Sequence, residues 1–376
     1  MSAHAKLSAS SSHRWLVCPG SIKAEEGLPD TQSDHSKEGS AAHFVAEQCL
    51  KNGLNAKDYI GIVIADYDLQ VTQEMADYVQ VYLDYVRNLG GVPLIEVRVD
   101  FSNIVPEGFG TADFITMVDD TLYIVDLKYG RGVRVNAEQN SQAMLYAIGV
   151  LNEYGAIYEP KRIVLVIAQP RLDHIDEWEV TFDQLELFAT TAKQKALQAL
   201  TPNAPRNPDE KACNWCKAKA QCPALQAFVE DVIGQQFDDL TVMPEVATLS
   251  LEQMTKVLKS KKLITSFIDA VEQLATDRLL SGQPMPGFKL VEGRSVRTIK
   301  DEAQVAQALI AKGYQQEQIY KPATLRGITD LEKLVGKKEF SLTVGEWVVK
   351  PKGAPTIASM DDPREPLSDV SSADFK

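Results

Sequence analysis

Residues 110–146 read GTADFITMVDDTLYIVDLKYGRGVRVNAEQNSQAMLY. Two runs inside this stretch, 112–118 and 121–127, are rich in β-branched and aromatic residues and are joined by Asp119-Asp120. That is the pattern of a β-hairpin. Asp113 falls early in the first strand, and Asp126 and Lys128 fall at the end of the second. Two residues apart on a strand, Asp126 and Lys128 share a face. A helix is expected to follow at about 137–152, on which Gln139, Gln142 and Tyr146 are spaced three and four apart and share one side. Two acids and a lysine, faced by a polar helix stripe, make a candidate site for a hard cation and a phosphate. Phosphodiester hydrolysis needs a metal to neutralise phosphate charge and acidify a water. Mg²⁺ and Mn²⁺ take oxygen ligands, so Asp113, Asp126 and the intervening backbone carbonyl of Leu127 are a sufficient set. Lys128 would orient the water or stabilise developing charge, with Gln139, Gln142 and Tyr146 holding the substrate or bracing the site.

Working outward, Gly39 punctuates the chain before a helix expected at 40–51, with His43 in its first turn. A second helix is expected at 72–89, stopped by Gly90-Gly91, and a strand at 93–101 carries Glu96, Arg98 and Asp100 on one side. Beyond the hairpin and its helix, KRIVLVIAQP at 161–170 reads as a buried strand, 177–181 adds another, and Asp183 caps a helix to about 200. Helices and strands alternate in the manner of a mixed α/β fold: a mixed central sheet flanked by helices, with a mainly helical C-terminal appendage. Three regions are expected: a core over 1–235, an accessory α+β region over 236–350, and a disordered acidic tail over 351–376. The accessory region includes a long helix at 250–280, a strand at 287–299 and a helix at 301–312.

The chain has 376 residues, 44% hydrophobic and 24% charged, an ordinary globular balance. No apolar run approaches the roughly 20 residues of a membrane helix, and no secretory signal is visible, so the expected location is cytoplasmic, without a membrane partner. The net charge of −13 argues against nucleic-acid binding by the whole surface. A local basic patch lies at 256–300, with nine basic residues against four acidic ones, although such a run is also what a solvated helix face looks like.

Five cysteines, an odd set, suit metal binding or a reduced state better than disulfides. Cys213, Cys216 and Cys222 have the spacing C-x₂-C-x₅-C, with Trp215 inside and Pro223 closing it; Cys18 is the candidate fourth ligand. Four thiolates suit zinc or an iron–sulfur cluster, and the spacing alone does not choose. Cys49 reads as a small buried apolar residue.

The ordered set Gly110-Thr111-Ala112-Asp113, Asp126-Leu127-Lys128 and Gln142-x-x-x-Tyr146 resembles the PD-(D/E)XK nuclease superfamily, in its RecB-like branch. Asp126 fills the second acidic position as Asp rather than Glu, a common variant, and no proline precedes the first acid. The resemblance implies a restriction-endonuclease-like sheet, with Asp113, Asp126 and Lys128 as catalytic residues. It also implies His43, in Glu38-Gly39-Ser40-Ala41-Ala42-His43, as a metal ligand and Glu96 as an accessory catalytic acid. One cysteine before the core and three after it are similar to the order in AddB-type and CRISPR-associated relatives. Residues 8–19, SASSSHRWLVCP, resemble the N-terminal cysteine motif of the same relatives. Those proteins hold a [4Fe–4S] cluster, which implies Cys18, Cys213, Cys216 and Cys222 as its ligands. Similar architecture occurs in phage and prophage proteins. The activity implied is a metal-dependent DNA nuclease, an exonuclease acting on ends or single strands in phage-type recombination or replication. A recombination or replication protein would be its partner. The alternative is a non-catalytic DNA-binding or scaffold protein that keeps the nuclease fold.

Overall fold

The computed structural model describes residues 5–29, 34–234, 250–289 and 336. Two compact units divide the chain, Met1–Pro286 and Gly287–Lys376, and nearly all of the second lies outside the described residues. The expected boundary at 235, the helix at 301–312 and the tail from 351 lie there too, as does all but the start of the strand at 287–299.

Short helices α1 (Ser12–Trp15) and α2 (Ser21–Ala24) precede α3 (Asp34–Asn52). A two-rung hairpin, β1 (Val63–Ile64) and β2 (Leu69–Gln70), leads to α4 (Gln73–Leu89). Then come β3 (Leu94–Asp100), β4 (Phe109–Val118) and β5 (Thr121–Leu127), followed by α5 (Ser141–Tyr158). After β6 (Arg162–Gln169) and β7 (His174–Val180) come α6 (Phe182–Ala199), α7 (Glu210–Asn214), α8 (Pro223–Gly234) and α9 (Leu251–Leu280). No described helix is long and apolar enough to cross a membrane.

The five strands form one mixed sheet in the order β3-β4-β5-β6-β7, antiparallel except for the parallel pair β5–β6 that α5 connects. Parallel strands in a sheet covered on both faces read as unbroken apolar runs. β6 shows why: Ile163, Val164, Leu165, Val166 and Ile167 are all buried, each contributing about 1.5–3 kcal/mol through burial. On one face α5, α6 and the N-terminal segment pack over Leu122, Ile124, Ile163 and Leu165. On the other, α3 and α4 pack over Phe114, Val125, Val164 and Val166.

Element boundaries differ from the sequence reading where caps decide them. α3 starts at Asp34 and runs through Gly39, so that glycine does not punctuate the chain. α5 starts at Ser141 and runs to Tyr158, because Asn140 Oδ1 accepts from the Ala143 amide at 3.1 Å and fixes the first turn. Thr181, not Asp183, caps α6. Gly90 and Gly91 end α4 with φ of 80° and 76°, and a Cβ at Gly91 would overlap the Met117 carbonyl, so a larger residue cannot stand there.

Candidate metal centre

Alternation along β3 and β4 breaks at one rung. Ile95 pairs with Phe114, and both pack on the α3/α4 face. Val97 pairs with Ala112, two residues further on each strand, yet both pack on the α5/α6 face. Regular strands would keep them on the same face. The residues at the break are Glu96 and Asp113, and Glu96 has φ 51°, a left-handed conformation unusual for glutamate. The break turns both carboxylates out of the regular sheet. α3 brings His43 to meet them, so ligand atoms of His43, Glu96 and Asp113 lie within 4.8 Å of one another. His43 Nδ1 is 3.4 Å from Asp113 Oδ1.

Asp113 also reaches across to the next strand. The β4–β5 ladder ends at Phe114–Val125, and beyond it the Leu127 amide donates to Asp113 Oδ2 at 2.7 Å. The residue before it, Asp126, is buried on the α5 side. There Lys128 Nζ lies 2.7 Å from Asp126 Oδ2 and donates to Gln142 Oε1 at 2.8 Å. Gln142 Nε2 lies 2.9 Å from Asp126 Oδ1 and 3.0 Å from the Tyr146 hydroxyl, donating to both acceptors. Lys128 partners the buried Asp126 Oδ2, which as a carboxylate oxygen can accept from one side while its other lone pair serves a cation. A buried carboxylate oxygen with a spare lone pair, beside a triad of nitrogen and oxygen donors, fits a hard divalent cation.

The electrostatics follow from this crowding. Burial alone would lower the His43 value, but the Asp113 charge and hydrogen bond, with Asp126 and Glu96, raise it to about 9. Glu96 is pushed up to about 7 by burial and by Asp113. Burial works against ionised Asp113, yet His43, Lys128 and the Leu127 amide hold its carboxyl below the usual range. For Asp126, burial outweighs Lys128 and the carboxyl sits above it. Divergent values among packed acids are the pattern expected of functional sites.

Of the residues singled out from sequence, His43, Glu96 and Asp113 form one cluster, and Asp126, Lys128, Gln142 and Tyr146 a second joined to it through Leu127. Gln139 does not share the Gln142–Tyr146 stripe: it precedes α5, has φ 55° and is exposed. Gly110 admits Tyr146, because a Cβ there would stand 2.6 Å from ring carbon Cε1. Two polar residues that the sequence reading passed over lie past the end of the parallel pair. Gln169 is buried and fully hydrogen-bonded. Arg171 pairs with Glu38 at 2.9 Å and Glu74 at 3.5 Å and stacks over Tyr129 at 4.8 Å, tying the starts of α3 and α4 to the sheet. Their signal was position: ligand sites in α/β sheets lie at the carboxyl ends of strands, and Gln-Pro-Arg follows such a strand.

The cysteines form a second centre. Cys18, Cys213, Cys216 and Cys222 line one cavity with Arg14 and Lys219, and all four are free thiols. Asn207 N donates to Cys18 Sγ at 3.3 Å and Asp209 N to Cys213 Sγ at 3.5 Å. Burial raises the Cys18 and Cys213 thiols and takes Cys216 to about 12. The two sequence segments are held together by Gly20 N donating to Pro205 O at 2.8 Å and Arg14 Nη1 to Trp215 O at 3.0 Å. A Cβ at Gly20 would stand 2.6 Å from the Ala204 carbonyl, so the close approach requires glycine.

Residues 4–365 match the family described as Protein of unknown function (DUF2800), and the chain belongs to that family. A solved structure titled "Crystal structure of SSO0001" is similar over 58% of this chain and 85% of that one, with 16% identity and a TM-score of 0.27. A likeness that distant carries no argument.

Proposed function

We propose that this DUF2800 member is a metal-dependent DNA nuclease of the PD-(D/E)XK, RecB-like type, an exonuclease serving phage-type recombination or replication. The observation that carries the reading is the convergence of His43, Glu96 and Asp113 beside the Asp126–Lys128 pair. Bound Mg²⁺ or Mn²⁺ would neutralise phosphate charge and acidify an attacking water. His43, Glu96 and Asp113 would hold the ion, with Asp126 and the Leu127 carbonyl completing the set. Lys128, held between Asp126 and Gln142, would keep its ammonium aimed at the scissile phosphate. Tyr146 braces Gln142. Single-turnover cleavage of end-labelled DNA with Mn²⁺ tests the reading. Asp126→Ala and Lys128→Ala should each abolish cleavage, and either variant cutting like the parent would overturn it. Metal-independent DNA binding without cleavage in the parent would favour the scaffold alternative.

The cysteine cavity is read as a structural [4Fe–4S] site. Amide donors to sulfur and nearby Arg14 and Lys219 suit a cluster of four thiolates with net negative charge. Anaerobic purification should give a brown protein with iron and sulfide in equal amounts. A colourless protein with stoichiometric zinc would refute the cluster.

A further inference from the structure

The segment from Tyr129 to Asn140 leaves the metal centre and comes back to it. It starts one residue after Lys128 and returns to Gln142, which accepts a hydrogen bond from Lys128. Its sequence, YGRGVRVNAEQN, supplies two arginines, and Arg131, Val133 and Arg134 are exposed, Val133 at 63%. A glycine-containing loop with an exposed valine would ordinarily fold back or stay mobile. This one is clamped from below. Gln169, 1% exposed at the end of β6, uses both ends of its amide on the loop: Val135 N donates to its Oε1 at 3.0 Å, and its Nε2 donates to Gly130 O and Val133 O at 2.7 and 2.8 Å. Asp176 Oδ2 accepts from Ala137 N at 2.7 Å. His174 Nε2 lies 2.9 Å from Val135 O and 3.4 Å from Arg134 Nε, the ring tautomer deciding which of the two it bonds, and Arg134 itself is exposed. One buried side chain therefore satisfies three backbone groups of a loop whose tip reaches solvent.

We infer that this arm is the nucleic-acid backbone clamp of the site, Arg131 and Arg134 contacting phosphates next to the one that Lys128 faces. The inference rests on the nuclease reading above. Distance supports it: Arg131 is three residues from Lys128, at most about 10 Å of extended chain, short enough for its side chain to reach a phosphate neighbouring the one that Lys128 faces. Charge supports it as well. A chain of net charge −13 cannot gather DNA by its general field, so fixed local cations beside the acidic cluster must do so. Guanidinium forks suit phosphate oxygens in two-point contacts, and the Gln169 clamp keeps the tip ordered before binding.

Fluorescence anisotropy of a labelled single-stranded oligonucleotide, with Ca²⁺ to prevent cleavage, tests the assignment across a range of salt concentrations. Arg131→Gln with Arg134→Gln, both at exposed positions, should weaken binding roughly tenfold and make the log–log salt slope shallower by about 1.4, two phosphate contacts' worth on a single strand. Gln169→Glu sets a carboxylate oxygen against two carbonyls; it should weaken binding with both arginines present and open Arg131 and Arg134 to trypsin. If the parent binds and cleaves DNA but the double variant shows an unchanged slope and affinity, the clamp is wrong and the nuclease reading stands. If the parent neither binds nor cleaves DNA, both fall.

Discussion

Glu96 occupies a conformation that glutamate avoids, φ 51° in the middle of β3. Strain of this kind is worth on the order of 1–3 kcal/mol and persists where its surroundings impose it. Glu96→Gly should therefore stabilise the metal-free protein by about 1 kcal/mol in urea unfolding while weakening metal binding; a loss of stability would show that the conformation is not strained. The pKa shifts of its neighbours give a second expectation. His43 is raised from 6.5 to about 9, so its stabilising contribution is whole below pH 6.5 and is lost as pH rises through 9. Glu96 is raised from 4.5 to about 7, and its contribution is likewise lost as pH rises through 7. Metal-free protein should thus lose stability between pH 4.5 and 9 from these two groups. Because the ion must displace both protons, Mn²⁺ should raise Tm more at pH about 8.5 than at about 6, as scanning fluorimetry would show. Among the site residues, the shared face of Asp126 and Lys128 was legible in strand alternation. The break at Glu96 was not, because it depends on two strands switching face at one rung. Gln139 was misplaced because one asparagine cap, not periodicity, starts α5.

Helix α5 shows how an element is seated by what is missing from it. Gly149 lets the helix approach β3, since a Cβ there would stand 2.9 Å from Val99 Cβ. Gly155 on the same helix is open, its added Cβ meeting only Leu151 at 3.8 Å. Gly149→Ala should cost about 1–3 kcal/mol by overpacking, whereas Gly155→Ala should add up to about 1 kcal/mol through helix propensity. Thermal unfolding of the pair checks the contrast, and equal effects would sink the argument. The order of strands and helices was readable from β-branched runs and their spacing. The second hydrophobic face over α3 and α4 needed the sheet itself, and the loop clamp stayed hidden because Gln169 looks like the last residue of an apolar strand.

Across the molecule, residues near position 18 and residues near 213–222 meet at one cavity. The 30-residue helix α9 docks on the same region, Leu263 joining Cys213, Leu225 and Val229 in one apolar cluster. Cys18→Ser should lower Tm and speed amide exchange in α1 and α2, read by hydrogen–deuterium exchange. Unchanged exchange would mean that the Gly20–Pro205 and Arg14–Trp215 contacts hold the ends unaided. The spacing of Cys213, Cys216 and Cys222 marked a candidate set in the sequence; only the fold brings Cys18 to the same cavity.

That meeting of distant segments sets an order of events during synthesis. Cys18 emerges from the ribosome early, but Cys222 follows 204 residues later, a delay of about 10–40 s at 5–20 residues per second. The Gly20 amide and the Cys18 thiol gain Pro205 O and Asn207 N only when residues 205–207 are made, and the other three cysteines come later still. The N-terminal segment therefore locks late although it is made early, and on the proposed reading a cluster could be bound only once the core is complete.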